Sequence, residues 1–309
     1  MIKYSVIVPT FNGEGRIGKT IYSLIRQSID PNNFEIIIVD DGSKDNTYKV
    51  IKEFIDENPE WNIRYFHQKN SGPSLARNMG ASIAQGETLF YTDDDCELPA
   101  TWMEKMIEVY NRFPEIVGVG GFYAPPAKRL RENVFEQFVH LKYRFYYGTA
   151  MDRFSGSTGE FPTLPADNTA NISFKKWLFE TVGGFDTRLK FAGMEDFEFS
   201  RRIQSRGYKM YYIPLMVLHN KKLDFSNFIK MSIVRSRALK FYNKYNKYYY
   251  RESWFSAFRR FWVFLGIVED EVSDKMFNRN ILFAAFTWYL IQGIISILPY
   301  RLVEKKLPK

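Results

Sequence analysis

A chain of 309 residues with 45% hydrophobic and 25% charged residues can bury a full core, and it is neither disordered nor collagen-like. The single cysteine, Cys96, excludes an internal disulfide framework and a cysteine-based zinc site. The net charge of +8 is uneven: residues 221–309 hold 17 Lys+Arg against 7 Asp+Glu, whereas residues 1–220 hold 26 against 28.

The chain opens on a strand-like run, YSVIV at 4–8, with no basic stretch followed by an apolar one, so the catalytic part is expected in the cytosol. EIIIV at 35–39 is a second apolar run of the kind buried in parallel sheets. Between them Ile17, Ile21, Leu24 and Ile25 recur at helical spacing, which makes a βαβ unit. A helix over 46–57, a strand over 63–66, a helix over 74–85 and a strand over 88–91 continue the alternation. That order predicts an α/β fold with a doubly wound, mainly parallel, Rossmann-like sheet. Further on, strands are predicted at 116–122, 169–174 and 209–213, and helices at 128–147, 175–182 and 195–206. Ser155–Gly159 reads as a flexible loop able to close over a site.

Beyond residue 224 no strand is predicted. Of the 22 residues from Phe241 to Trp262, 11 are aromatic, and 281–298 carries no charge. As a helix those 18 residues span ~27 Å, the lower limit for crossing a bilayer. Crossing would put Arg301, Lys305, Lys306 and Lys309 outside, against the usual bias of charge. Helices lying in an anionic membrane interface are therefore expected, with a single crossing or a helix buried on protein as alternatives.

Gly13–Thr20 matches the phosphate-binding pattern G-x-x-x-x-G-K-[ST]. However, Pro9–Asn12 separates it from the strand, and Ile17 puts Gly18 and Lys19 inside the helix rather than at its first turn. A nucleotide hydrolase would also leave three acidic clusters unexplained. Asp40-Asp41 follows the strand 35–39, where carboxylates enter the crevice of a parallel sheet; taken alone, the pair is better explained by a turn with a helix cap. Asp93-Asp94-Asp95 follows 88–91, and three adjacent carboxylates repel unless a cation or strong donors offset them. All-oxygen ligands suit Mg²⁺ or Mn²⁺. Glu195-Asp196 opens a helix, where acidic residues also serve as dipole partners.

VIVPTFN (6–12), VDDGSKDNT (39–47), NSGPSLARNMGASIAQGE (70–87), TDDDCELP (92–99), ANISFKKWLFETVGGFD (170–186), GMEDFEFSRR (193–202) and YIPLMVLH (212–219) together resemble the ordered motifs of family 2 glycosyltransferases of GT-A fold. The resemblance covers about residues 3–220. It implies a GT-A domain over 1–222, with a nucleotide-sugar half (1–115) and an acceptor half (116–222), and a basic, aromatic helical region over 223–309.

The resemblance also implies roles. Pro9, Thr10, Phe11, Asn12 and Asp41 would hold the base and ribose, and Gly72 and Arg77 would lie beside the diphosphate. Asp93 and Asp94 would reach the sugar nucleotide, and Asp93, Asp95 and His219 would ligate Mg²⁺ or Mn²⁺. Asp196 would be the catalytic base, with Glu195 helping to fix the acceptor. Asn168 and Trp177 would lie near the acceptor, a core role being as good an account of Trp177. His67 and His140 read as structural. The implied reaction is inverting transfer from a nucleotide sugar, a UDP-sugar first, to a glycan or lipid-linked acceptor at the cytoplasmic membrane face. A phosphate-loop hydrolase and a silent membrane scaffold are the alternatives. Nucleic acid is not an expected partner, and the oligomeric state stays open.

Overall fold

The computed structural model describes residues 2–141, 168–189, 194–245 and 280–298. The expected loop at 155–159, the end of the helix predicted over 128–147 and the aromatic stretch 254–268 lie outside them.

The described residues fall into two compact units. The first comprises residues 2–124, 168–189 and 195–221. Its sheet contains β1 (Tyr4–Thr10), β2 (Phe34–Asp40), β3 (Ile63–His67), β4 (Thr88–Tyr91), β5 (Cys96–Glu97), β6 (Ile116–Ala124), β7 (Ile172–Lys175) and β8 (Lys209–His219). Their order is β3-β2-β1-β4-β7-β6-β8-β5. β1 to β4 are mutually parallel, β6 and β8 are parallel to each other, and β7 and β5 are antiparallel to their neighbours.

Strand alternation sends side chains to two helical layers. Val6, Val8, Ile36, Ile38 and Phe90 pack with Ile17, Ile21 and Leu24 of α1 (Ile17–Leu24), Ile51 of α2 (Thr47–Glu57), and Trp102 and Met106 of α4 (Trp102–Arg112). Ile7, Ile37, Val39, Leu89 and Tyr91 pack with Ala76 of α3 (Pro73–Ile83), Leu178 of α6 (Trp177–Val182), and Phe199 and Ile203 of α7 (Glu195–Ser205). This is the doubly wound, mainly parallel α/β architecture that the alternation of strands and helices predicts.

β7 begins three residues later than predicted, and two elements depart further from their predicted limits. β8 runs to His219 instead of ending at Ile213. Pro214 cannot donate to a ladder, which made the strand look interrupted. The sheet absorbs it at a register shift: Tyr212 pairs with Gly120, and Met216 pairs with Phe122. Asn171 fills that irregularity, donating to the carbonyls of Phe122 and Leu215 at 2.8 and 2.7 Å and accepting from Trp102 Nε1 at 2.8 Å. A Cβ on Gly121 would strike the Leu215 carbonyl and Asn171. The second departure is a break in the helix predicted over 128–147. α5 (Ala127–Glu132) stops at Asn133, whose Oδ1 accepts from the amides of Phe135 and Glu136 and starts a new helical stretch over 134–141.

The second unit comprises residues 125–141, 194, 222–245 and 280–298. α8 (Phe225–Tyr245) packs against α9 (Ile281–Ile297). Its core joins Phe138, Phe228, Ile281, Ala284, Ala285, Trp288 and Tyr289. Lys240 Nζ donates to the carbonyls of Ile295 and Ser296 at 3.0 and 2.7 Å, satisfying acceptors that the end of α9 leaves over. The opposite face of α9 presents Leu282, Phe283, Phe286, Leu290 and Ile294 to solvent. No helix among the described residues is long and apolar enough to cross a membrane.

Candidate active site

The site collects at the carboxyl ends of β1, β2 and β4, in the first unit. β1 ends at Thr10, in register with Asp40 of β2. The chain then turns through Asn12, the one non-glycine residue with positive φ (50°) among those described. Asn tolerates this conformation, and here both its backbone and side chain are used. Its amide donates to Ser43 Oγ at 2.8 Å, and its Oδ1 accepts from the Lys44 amide at 2.9 Å. Pro9 is partly buried within β1, while Phe11 is 40% exposed and offers a ring face beside this turn.

Asp41 is spent inside the protein. Its carboxylate accepts from Gln68 Nε2 at 2.7 Å and from the amides of Ser71 and Gly72, both at 2.8 Å. Gly72, at φ 97°, is the residue that turns into α3, so Asp41 orders the entry to that helix. Asp40 accepts from the Ser43 amide and from Tyr65 Oη. Burial, and then the bond to Asp40, hold the Tyr65 phenol above its ordinary pKa.

The three consecutive aspartates point to different partners. Asp94 accepts from Thr10 Oγ1 at 2.6 Å and takes a two-pronged contact from Arg16, at 2.7 and 3.0 Å. The same guanidinium donates to the carbonyls of Asn12 and Phe11. Asp94 is thus a brace between the turn at 11–12 and the acidic loop. Asp93 and Asp95 face His219 instead. One ligand atom from each of the three lies within 4.8 Å of the others. His219 Nε2 is 3.3 Å from Asp95 Oδ1. Burial pushes the Asp95 carboxyl up; His219 pulls it back, while Asp93 and Asp94 push it further.

Arg77, expected beside a diphosphate, bridges two acidic segments of the protein. It is 4% exposed, and its guanidinium donates to Glu195 Oε1 at 2.8 Å and to Asp93 Oδ1 at 3.0 Å. Burial alone would lower its pKa; Asp93, Glu195 and Asp196 outweigh that and raise it. Glu195 is itself buried, and Asp196, the next residue in the first turn of α7, is half-buried. Asn168 lies two residues before Ala170, whose amide it caps, at the end of β7 where Ile172 pairs with Tyr91. Trp177 lies beyond the other end, past Lys175 opposite Thr88, and packs on Tyr208. It therefore lies past the opposite end of β4 from Asp93.

The phosphate-loop pattern has other uses in this fold. A Cβ on Gly13 would collide with Thr10 Oγ1 and lie 2.7 Å from Asp94 Oδ2, so the Thr10–Asp94 bond requires glycine there. Gly18 packs on Phe54, Lys19 pairs loosely with Glu97 at 3.6 Å, and Thr20 Oγ1 donates to the buried Cys96 carbonyl. No free amide cradle results. Arg16 and Asn171 escaped the sequence reading, since nothing local to either marks a partner so far along the chain.

Residues 5–164 match the family Glycosyl transferase family 2, and the chain belongs to that family. It is 28% identical over 188 residues to a glucosyl-dolichyl phosphate glucuronosyltransferase of Haloferax volcanii, a match covering 60% of this chain and 56% of that protein. It is 27% identical over 242 residues, 74% of this chain and 70% of the other, to a dolichyl N-acetyl-alpha-D-glucosaminyl phosphate 3-beta-D-2,3-diacetamido-2,3-dideoxy-beta-D-glucuronosyltransferase of Methanococcus voltae. Its fold is similar to that of the mannosyltransferase PcManGT from Pyrobaculum calidifontis in complex with GDP-Man and Mn²⁺. That likeness has a TM-score of 0.60 at 18% identity and covers 95% of this chain and 73% of that one.

Proposed function

We propose that the enzyme transfers a sugar from a nucleoside diphosphate to a hydroxyl of a glycan or lipid-linked acceptor, by a single displacement with inversion. The observation that carries this reading is the convergence of Asp93, Asp95 and His219 within 4.8 Å, beside the turn that bears Phe11. Two carboxylates suit Mg²⁺ or Mn²⁺, and the added imidazole favours the softer Mn²⁺. When bound, the cation supplies Lewis-acid stabilisation of the departing diphosphate.

The remaining work belongs to the chain. Phe11 stacks on the base, and Asp41 keeps Ser71 and Gly72 ordered where the helix α3 begins. Asp196 accepts the proton of the acceptor hydroxyl. The acceptor oxygen forms its bond to the anomeric carbon as the bond from that carbon to the phosphate oxygen breaks, and the electron pair leaves with the diphosphate. One carboxylate opposite the leaving group gives inversion. The relatives named for dolichyl phosphate-linked sugars support a lipid-linked acceptor. The basic C-terminal region and the exposed apolar face of α9 support attachment to the cytoplasmic membrane surface.

The test is a thermal-stability screen of UDP-, GDP- and dTDP-sugars with and without Mn²⁺. Stabilisation by one of them that needs Mn²⁺ and is lost in D95N is expected. The absence of any metal-dependent stabilisation rejects the reading.

A further inference from the structure

Arg77 joins two carboxylates that serve different substrates in the proposed reaction. Asp93 belongs to the three-residue cluster after β4; Glu195 begins α7 and immediately precedes Asp196. The guanidinium spans them with separate nitrogens, Nη2 to Asp93 and Nη1 to Glu195, while its buried Nε has no acceptor among the described residues. At 4% exposure, it exchanges little of this with water. Charges held in such a site act on one another with weak screening.

We propose that Arg77 is a positioning residue that couples occupancy of the Asp93–Asp95–His219 cluster to the acceptor-side carboxylates. The inference rests on that cluster being a cation site. A cation drawn to Asp93 competes with Arg77 for the same carboxylate. Arg77 can yield because Glu195, with Asp196 nearby, offers its charge another partner. Without the Glu195 charge, Arg77 holds Asp93 more firmly and the cation binds less well. By linkage the relation is reciprocal: a filled cation site turns Arg77 toward Glu195 and steadies the turn that carries Asp196. A donor complex thereby prepares the base, and an unloaded enzyme keeps it less well ordered. Lysine cannot reproduce this, because an ammonium is a single point charge without the planar fork.

The experiment is a titration of Mn²⁺ alone into the full chain, followed by the electron paramagnetic resonance signal of free Mn²⁺. E195Q is expected to weaken binding about ten-fold in the otherwise native chain, and less than ~2-fold in R77K. R77K retains the positive charge, so an effect of Glu195 acting directly through space would persist in it. A second comparison leaves Arg77 in place: E198Q removes a charge from the same helix where Arg202 is the partner, and should shift Mn²⁺ affinity less than ~2-fold. Equal losses from E195Q in both backgrounds, or equal losses from E195Q and E198Q, overturn the coupling while leaving the cation site intact. Wild-type chain that binds no Mn²⁺, or binds it equally well as D95N, removes the cation site and the coupling together. Thermal unfolding of each variant separates loss of fold from loss of binding.

Discussion

Cys96 and His219 are register partners in the short antiparallel pair β5–β8, and this pairing brings the last residue of the longest strand to the acidic loop. His219 Nε2 is thereby 3.3 Å from Asp95. His219→Ala should lower Mn²⁺ affinity by at least about 10- to 100-fold, the loss caused even by removing a residue that only supports a ligand. Isothermal titration calorimetry checks it; unchanged affinity removes His219 from the site.

Asp196→Asn should leave nucleotide binding intact, weaken Mn²⁺ binding less than E195Q does, and reduce kcat by about 10²–10⁴-fold, the usual contribution of a general base. Calorimetry with the nucleotide and a transfer assay with the donor found in the screen separate the two effects. A variant that transfers sugar at the native rate shows that another group takes the proton.

Gly13→Ala and Lys19→Ala discriminate the brace from a phosphate loop. The alanine methyl at 13 meets Thr10 and Asp94, so this variant should unfold earlier and bind nucleotide less well. Lys19 is largely exposed and only loosely paired, so its removal should change stability by less than about 0.5 kcal/mol and leave nucleotide affinity unchanged. A phosphate loop demands the reverse: loss of nucleotide binding on removal of the lysine.

Cys96 is fully buried among the core residues that pack on α1 and α4. Burial first, and then Asp95 and Asp93, push its thiol well above the ordinary range, so it stays protonated at neutral pH. A disulfide reagent should label it only after unfolding. Cys96→Ala should cost about 0.5–3 kcal/mol, as core substitutions do, without touching kcat. Labelling of the folded chain at the rate of the unfolded one contradicts this burial.

Phe283 and Phe286 are each more than half exposed on α9, and the ring of Phe225 stacks on Phe283. Replacing both phenylalanines of α9 with Asp should greatly reduce flotation with anionic vesicles while leaving the unfolding midpoint nearly unchanged. Vesicles of neutral lipid should bind the native chain more weakly, and salt should weaken binding to anionic ones. Retained flotation shows that another surface makes the contact, and a large drop in midpoint shows that protein covers this face.

The parallel half of the sheet was legible because β1, β2 and β4 are apolar runs separated by periodic helices, and carboxylates at their ends mark the crevice. β5 was not, since a two-residue strand has no period. Pro214 hid half of β8, and Asn133 hid a helix start inside an otherwise continuous pattern. The site residues were recognisable as types at strand ends, but their partnerships were not. Arg16 reaches Asp94 across 78 positions and Arg77 reaches Glu195 across 118, and no local periodicity encodes such distances. Asp41 and Arg77 read as ligand contacts in the sequence, and the fold adds bonds that no motif announces: Asp41 accepts from Gln68, Ser71 and Gly72, and Arg77 donates to Asp93 and Glu195.

The Thr10–Asp94–Arg16 brace constrains how this enzyme can be re-engineered. Thr10 and Arg16 hold the turn at 11–12 to the same loop that carries Asp93 and Asp95, and any side chain at position 13 would force that joint apart. A graft that exchanges only residues 9–12 to alter nucleotide preference would also displace the acidic loop. Transplants that move 9–16 and 92–97 as one cassette keep the joint whole, and libraries aimed at a new donor should vary the two segments together.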